Sequence, residues 1–257
     1  MAYIAAALML ALSTTVSPHA GRATTLTVFA AASLHRVLPA LGERFARSHP
    51  GLALRYDFDG SQILEAQLEN GAHADVFASA DEFSMRRAVR AGLVETPARL
   101  AANEMVVIAS RSAGVRRIAD LANAGVKIDL CGETVPCGRY SAVAMSRLAG
   151  DRQFPPEFVT RLQRNIVSRE QNVEAAVAKV SLGEADAGFV YATDATGPAA
   201  GRLRVLRFSP RDRVVAAYPI AVVRNSATRD LARGFVAYVR SADGRKMLQS
   251  FGFVVSR

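Results

Sequence analysis

Short apolar runs alternate along the chain with stretches whose apolar residues recur at helical spacing. Leu26-Thr27-Val28-Phe29-Ala30 reads as a strand, and Leu38, Leu41 and Phe45 then fall on one helical face. Further strand patterns stand at 52–56, 75–78, 105–109, 127–131 and 188–191. Helical patterns stand at Ile63, Leu64 and Leu68, at 140–148 and at 173–180. This order predicts an α/β fold with mostly parallel sheets covered by helices. No repeat of fixed period and no long linker interrupts it.

Four of these strands hand over to a helix through a short polar or turn segment: Ala31-Ala32-Ser33, Asp59-Gly60-Ser61, Val135-Pro136-Cys137-Gly138 and Glu170-Gln171-Asn172-Val173. Ligands of open α/β sheets bind outside the carboxyl ends of the strands. A helix N-terminus there presents free N–H groups and a partial positive charge, which suits an anion. The hydroxyls of Ser33 and Ser61 add donors; the plainer reading of each serine is a helix cap. The fourth segment is ambiguous. Ser168-Arg169-Glu170-Gln171 has the spacing of a capping box, which would bury the Val173 N–H inside a helix, whereas a cap at Asn172 leaves it free. Pro39 adds a difficulty, because a helix begun at Leu34 must kink there or be irregular.

Composition narrows the function. The 257 residues are 50% hydrophobic and 21% charged, which excludes a disordered chain. The length allows one large domain or two lobes. Lys+Arg exceed Asp+Glu by 32 − 23 = 9, and only Lys127, Lys179 and Lys246 are lysines. The arginines are scattered, the densest pairs being Arg86-Arg87 and Arg116-Arg117, without interleaved aromatics. No nucleic-acid partner is expected. No Ser-His-Asp arrangement, phosphate loop or metal-ligand spacing occurs, and Cys137 beside Arg139 lacks a histidine after His73 to activate it. The chain is not expected to be an enzyme and needs no cofactor.

Residues 5–16 form a mostly apolar run, too short to span a membrane and suited to the core of a signal peptide. Small residues follow, with cleavage after Ala23 or Ala20 the two candidates, although Met1-Ala2-Tyr3-Ile4 lacks the usual positive charge. Residues 1–23 are therefore read as a signal peptide. No cysteine lies near the cut, so no lipid anchor is expected, and the mature chain should be soluble in the periplasm or otherwise outside the cytoplasmic membrane.

The chain resembles the periplasmic molybdate-binding proteins of ABC importers. The matching segments are Val28-Phe29-Ala30-Ala31-Ala32-Ser33-Leu34; Ser61 with Gln67-Leu68-Glu69-Asn70-Gly71; Ala74-Asp75-Val76-Phe77-Ala78-Ser79-Ala80-Asp81; and Val135-Pro136-Cys137-Gly138-Arg139-Tyr140. Then come Asn172-Val173 with Gly183-Glu184-Ala185, Gly188-Phe189-Val190-Tyr191-Ala192-Thr193-Asp194-Ala195, Tyr218-Pro219-Ile220-Ala221-Val222-Val223, and Phe251-Gly252-Phe253. They stand in family order over about residues 26–254.

The resemblance implies a type II periplasmic-binding-protein fold, two α/β lobes closing about a hinge of two crossing strands. Lobe one would be 24–103 with 217–257, and lobe two 104–216. It implies that the chain captures molybdate or tungstate and delivers it to an ABC permease, as a monomer. The ligand set carried over is the hydroxyl and N–H of Ser33 and Ser61, the N–H of Cys137 and Val173, and the Tyr191 hydroxyl; this favours Asn172 as the cap. Molybdenum would be held only as the oxyanion, by neutral donors. A site of donors alone rejects a protonated anion, because an O–H would face an N–H. The alternative is a receptor for sulfate, another oxyanion or a small organic solute, although a carboxylate would want an arginine clamp and only Arg36 and Arg139 lie nearby in sequence. The family's small residue after Val-Pro is Cys137 here, with Cys131 six residues earlier. In an exported protein this pair is expected to form a disulfide; the other reading is two thiols.

Overall fold

The computed structural model describes residues 24–255; the signal-peptide reading, residues 1–23, lies outside them. β1 (Thr24–Ala31) buries both faces. Val28 and Ala30 enter one apolar cluster and Phe29 another, as the two-residue alternation of a strand requires. β3 (Val76–Ala78) behaves likewise, with Phe77 opposite Val76 and Ala78. Such strands must lie between two helical layers. α2 (Ser61–Glu69) and α3 (Glu82–Arg90) supply one, through Leu64, Leu68, Met85 and Ala88. α1 (Val37–Arg47), α7 (Arg229–Val239) and α8 (Ala242–Ser250) supply the other, where Phe45 meets Phe235 edge-on at 5.4 Å.

β2 (Leu52–Asp59) pairs parallel with β1, and β1 with β3. In the other half, β5 (Ile128–Cys131) pairs parallel with both β6 (Ile166–Glu170) and β7 (Ala187–Tyr191). Two long strands join the halves. β4 (Ala98–Ser110) pairs with β9 (Val215–Val222) along 98–104, then with β7 and with β8 (Leu203–Arg207) along 105–110. Among the described residues, all antiparallel pairs of strands involve β4 or β9. The sheets are thus parallel where βα units build them and antiparallel where the chain crosses between them. α4 (Pro136–Gly150), α5 (Phe158–Arg164) and α6 (Val173–Leu182) complete the second half.

Two local ambiguities are resolved. Ser168 lies within β6, and its hydroxyl donates to Glu170 rather than capping a helix; the cap of α6 is Asn172, whose Oδ1 accepts the Ala175 N–H at 3.0 Å. No helix runs on from Leu34. A 3-10 turn at Ala32–Leu34 ends, and α1 begins at Val37. Pro39 therefore sits in the first helical turn, where its missing N–H costs nothing. The strand read at 105–109 is the C-terminal part of β4, whose preceding polar residues Asn103 and Glu104 hid its length. Among the described residues no helix is long and apolar enough to cross a membrane.

Candidate functional site

Four chain turns converge between the halves. The 3-10 turn after β1, and the starts of α2, α4 and α6, enclose one cavity to which Ser33, Ser61, Cys137, Val173 and Tyr191 all contribute. The structure thus brings together all five residues singled out in the sequence. The cavity admits water-sized centres over about 10 Å³, a body about 2.7 Å in radius once a water radius is added. That is the scale of one compact ion.

Each donor is placed by its local fold. Pro136 opens α4, supplying the fixed φ of a first helical residue, and puts Cys137 in a turn where the helix offers its N–H no acceptor. Cys131 and Cys137 are disulfide-bonded, with Cα atoms 5.7 Å apart, so the end of β5 is tied to the start of α4. Gly138 makes that approach possible, because a Cβ there would lie 1.9 Å from the Gly132 carbonyl oxygen. Val173 is the first residue of α6, and the Asn172 cap leaves its N–H free. The partial positive ends of α2, α4 and α6 all face the cavity.

The hydroxyls differ in their partners. Ser61 Oγ accepts the Ala80 N–H at 2.9 Å, and Ser33 Oγ lies 2.8 Å from the Tyr218 hydroxyl. The Tyr191 hydroxyl is buried and has no partner among the described residues. Burial holds its pKa well above the ordinary phenol value, with the neighbouring tyrosines acting in the same direction, so it remains a donor. The Asp194 Oδ2 accepts the Tyr191 N–H at 3.0 Å, and burial and then Glu174 raise the pKa of its carboxyl well above the ordinary carboxylate value.

No arginine or lysine lines the cavity. Arg139 turns aside to Asp81, and Arg36 donates to Thr196 at 3.0 Å. Asp59 is the charged group in the wall. Its Oδ1 accepts the Gly60 N–H at 2.7 Å and Asn172 Nδ2 at 2.9 Å, which spends the acceptor on joining the two sides. The sequence showed Asp59 only as part of a turn. The Tyr218 contact and Asn103 carried no sequence signal beyond a tyrosine inside a matching motif and a polar residue in an apolar strand. Among the described residues no cluster of His, Cys, Asp and Glu could hold a metal ion.

The model of the bacterial extracellular solute-binding protein family matches residues 26–254. The molybdate-binding protein ModA of Mycobacterium tuberculosis is 39% identical over 234 residues, covering 90% of this chain and 85% of that protein. The periplasmic molybdate-binding protein of Azotobacter vinelandii has a TM-score of 0.76 at 22% identity, over 90% of this chain and 100% of the other. The sulfate-binding protein SubI of M. tuberculosis H37Rv also scores 0.76, at 20% identity, over 90% and 86%. These equal scores describe a shared type II periplasmic-binding-protein fold and leave the ligand to the site. The sequence match along nearly the whole chain and the cleft between two joined α/β halves agree: this chain belongs to the bacterial extracellular solute-binding proteins.

Proposed function

We propose that this protein captures molybdate, with tungstate as a second ligand, and delivers it to an ABC import permease. The observation that carries this reading is the unpartnered, buried Tyr191 hydroxyl in an ion-sized cavity walled by free helix N-termini and two serines. An unmade hydrogen bond at a dry site costs about 1–3 kcal/mol, and a tetrahedral oxyanion would satisfy Tyr191 together with Ser33, Ser61 and the N–H groups of Cys137 and Val173. Fixed neutral dipoles replace the anion's water without adding a full charge, so release to a permease stays within reach. The reading also takes 24–103 with 217–257 as lobe one and 104–216 as lobe two, β4 and β9 being the hinge. Residues 1–23 would direct export to the periplasm, where the chain acts as a monomer without catalysis or cofactor. The relatives' names support molybdate.

Calorimetric titration of the mature chain with molybdate, tungstate, sulfate and phosphate tests the reading. Tight one-to-one binding of the first two, with sulfate and phosphate weak, is expected. Sulfate bound as tightly as molybdate would keep the site and change its ligand. No oxyanion binding would overturn the assignment.

A further inference from the structure

A serine hydroxyl serves an anion only if its proton points toward it. For Ser61 the backbone decides, since the Ala80 N–H occupies the oxygen at 2.9 Å and leaves the O–H to be donated elsewhere. Ser33 has no backbone donor of that kind among the described residues. Its oxygen lies 2.8 Å from the Tyr218 hydroxyl, and such a pair can point either way.

Asn103 breaks the tie. Its Oδ1 accepts the Glu104 N–H at 3.0 Å, which fixes the amide orientation. Nδ2 then faces inward, donating to Thr193 Oγ1 at 2.8 Å and to Tyr218 Oη at the long distance of 3.5 Å. Tyr218 is fully buried, and burial raises its phenol well above the ordinary pKa, so it keeps its proton. Among the described residues that hydroxyl meets one acceptor, Ser33 Oγ. The phenol proton goes there, and the serine proton is turned out to the cavity.

We propose that Tyr218 and Asn103 are positioning residues that fix the direction of the Ser33 proton, and thereby make the site select fully deprotonated dianions over dianions that carry a proton. The proposal rests on the reading of the cavity as an anion site. Asn103 holds Tyr218, Tyr218 donates to Ser33, and Ser33 donates to the anion. Neither positioning residue needs to touch the ligand.

The test is the ratio of two affinities, that of molybdate and that of hydrogenphosphate measured by competition, in one mildly alkaline buffer. Both anions carry two negative charges there, so altered charge or lobe closure moves both affinities together, whereas the hydroxyl's direction moves the ratio. Tyr218→Phe leaves Ser33 free to turn. Molybdate binding should weaken about tenfold, the scale of one charge-assisted hydrogen bond, and the ratio should fall several-fold. Asn103→Asp, nearly isosteric, offers Tyr218 an acceptor, draws the phenol proton away from Ser33, and should lower the ratio further. Melting curves establish that each variant folds, and either variant decides if the other does not. A ratio equal to wild type in the folded variants overturns the proposal. Wild-type protein that binds neither anion overturns the reading of the cavity itself, and does so before any substitution is made.

Discussion

Arg139 Nε donates to Asp81 Oδ2 at 2.7 Å and so ties the first turn of α4 to the residue that caps α3. The same guanidinium donates through Nη2 to Ser84 Oγ at 3.1 Å and lies over the Phe83 ring, 4.4 Å from its centroid. Asp81 is buried and also accepts the Ser84 N–H at 2.9 Å. Because α3 and α4 stand on opposite sides of the cleft, this pair joins the two sides and keeps its positive charge off the cavity wall. No arginine or lysine stands in the cavity wall.

Arg139→Met should therefore weaken the closed form. The apolar stem is retained, while the ion pair and the Ser84 contact are lost. A five- to twentyfold faster release of bound molybdate is expected, on the scale of about 1–2 kcal/mol for a half-buried charged hydrogen bond, read by stopped-flow displacement. Release at the wild-type rate would show that the pair does not hold the cleft shut.

Gly60→Ala tests the approach of the two sides directly. A Cβ at Gly60 would lie 2.4 Å from the Gln171 carbonyl oxygen, and Gln62 Nε2 donates to that same oxygen at 3.0 Å. The added methyl must hold the start of α2 away from the start of α6. Titration should show at least a tenfold loss of molybdate affinity.

Tyr191→Phe and Ser33→Ala each leave one oxyanion oxygen short of a donor. Each should cost about 1–3 kcal/mol of binding, or roughly five- to 150-fold in Kd. Unchanged affinity in both would remove these residues from the site.

The Cys131–Cys137 disulfide closes a short loop, worth about 2 kcal/mol in the chain-entropy account. Its larger effect should be on binding, since it anchors Cys137 in the cavity wall. The Cys131→Ser/Cys137→Ser double variant should melt a few degrees lower and bind molybdate more weakly. A lower melting point with full affinity would limit the bond to stability.

Asp129 gives the pH dependence of folding. It is fully buried, neither carboxyl oxygen meets hydrogen-bond geometry with a partner among the described residues although Ser168 and Glu170 lie close by, and burial with the nearby Glu170 raises its pKa from 3.8 to about 7. The folded chain keeps that proton to about pH 7, whereas the unfolded chain loses it near pH 4. Between those values the native state binds more protons, so this group's contribution to stability falls as pH rises. Asp129→Asn should remove that slope and stabilise the protein above pH 7 by on the order of 2–4 kcal/mol. Denaturant melts at acid and alkaline pH check it; an unchanged slope would place the pH dependence elsewhere.

Much of this molecule was readable in one dimension, because strand alternation and helical spacing are local properties. β1, β5, β7, α1, α4 and α6 lie where the patterns put them. The strand-to-helix junctions were legible for the same reason: a Pro at the first helical position and an Asn cap act within a single turn. The ambiguity at Ser168 was local too, and it was resolved by pairing. Ser168 lies opposite Asp129 in a parallel ladder, and a residue held in a ladder cannot cap a helix.

The amino-acid order, read with the family resemblance, therefore named the residues that come to line the cavity, and no arginine or lysine stands among them. It did not contain the links across long chain separations. Tyr218 beneath Ser33, Asn103 beside Tyr218, Asp59 against Asn172 and Arg139 against Asp81 each join elements far apart in the chain that come together only when the sheets pair through β4 and β9. Hydrogen-bond direction is a property of that assembled network: the same serine is donor or acceptor according to what folding places behind it.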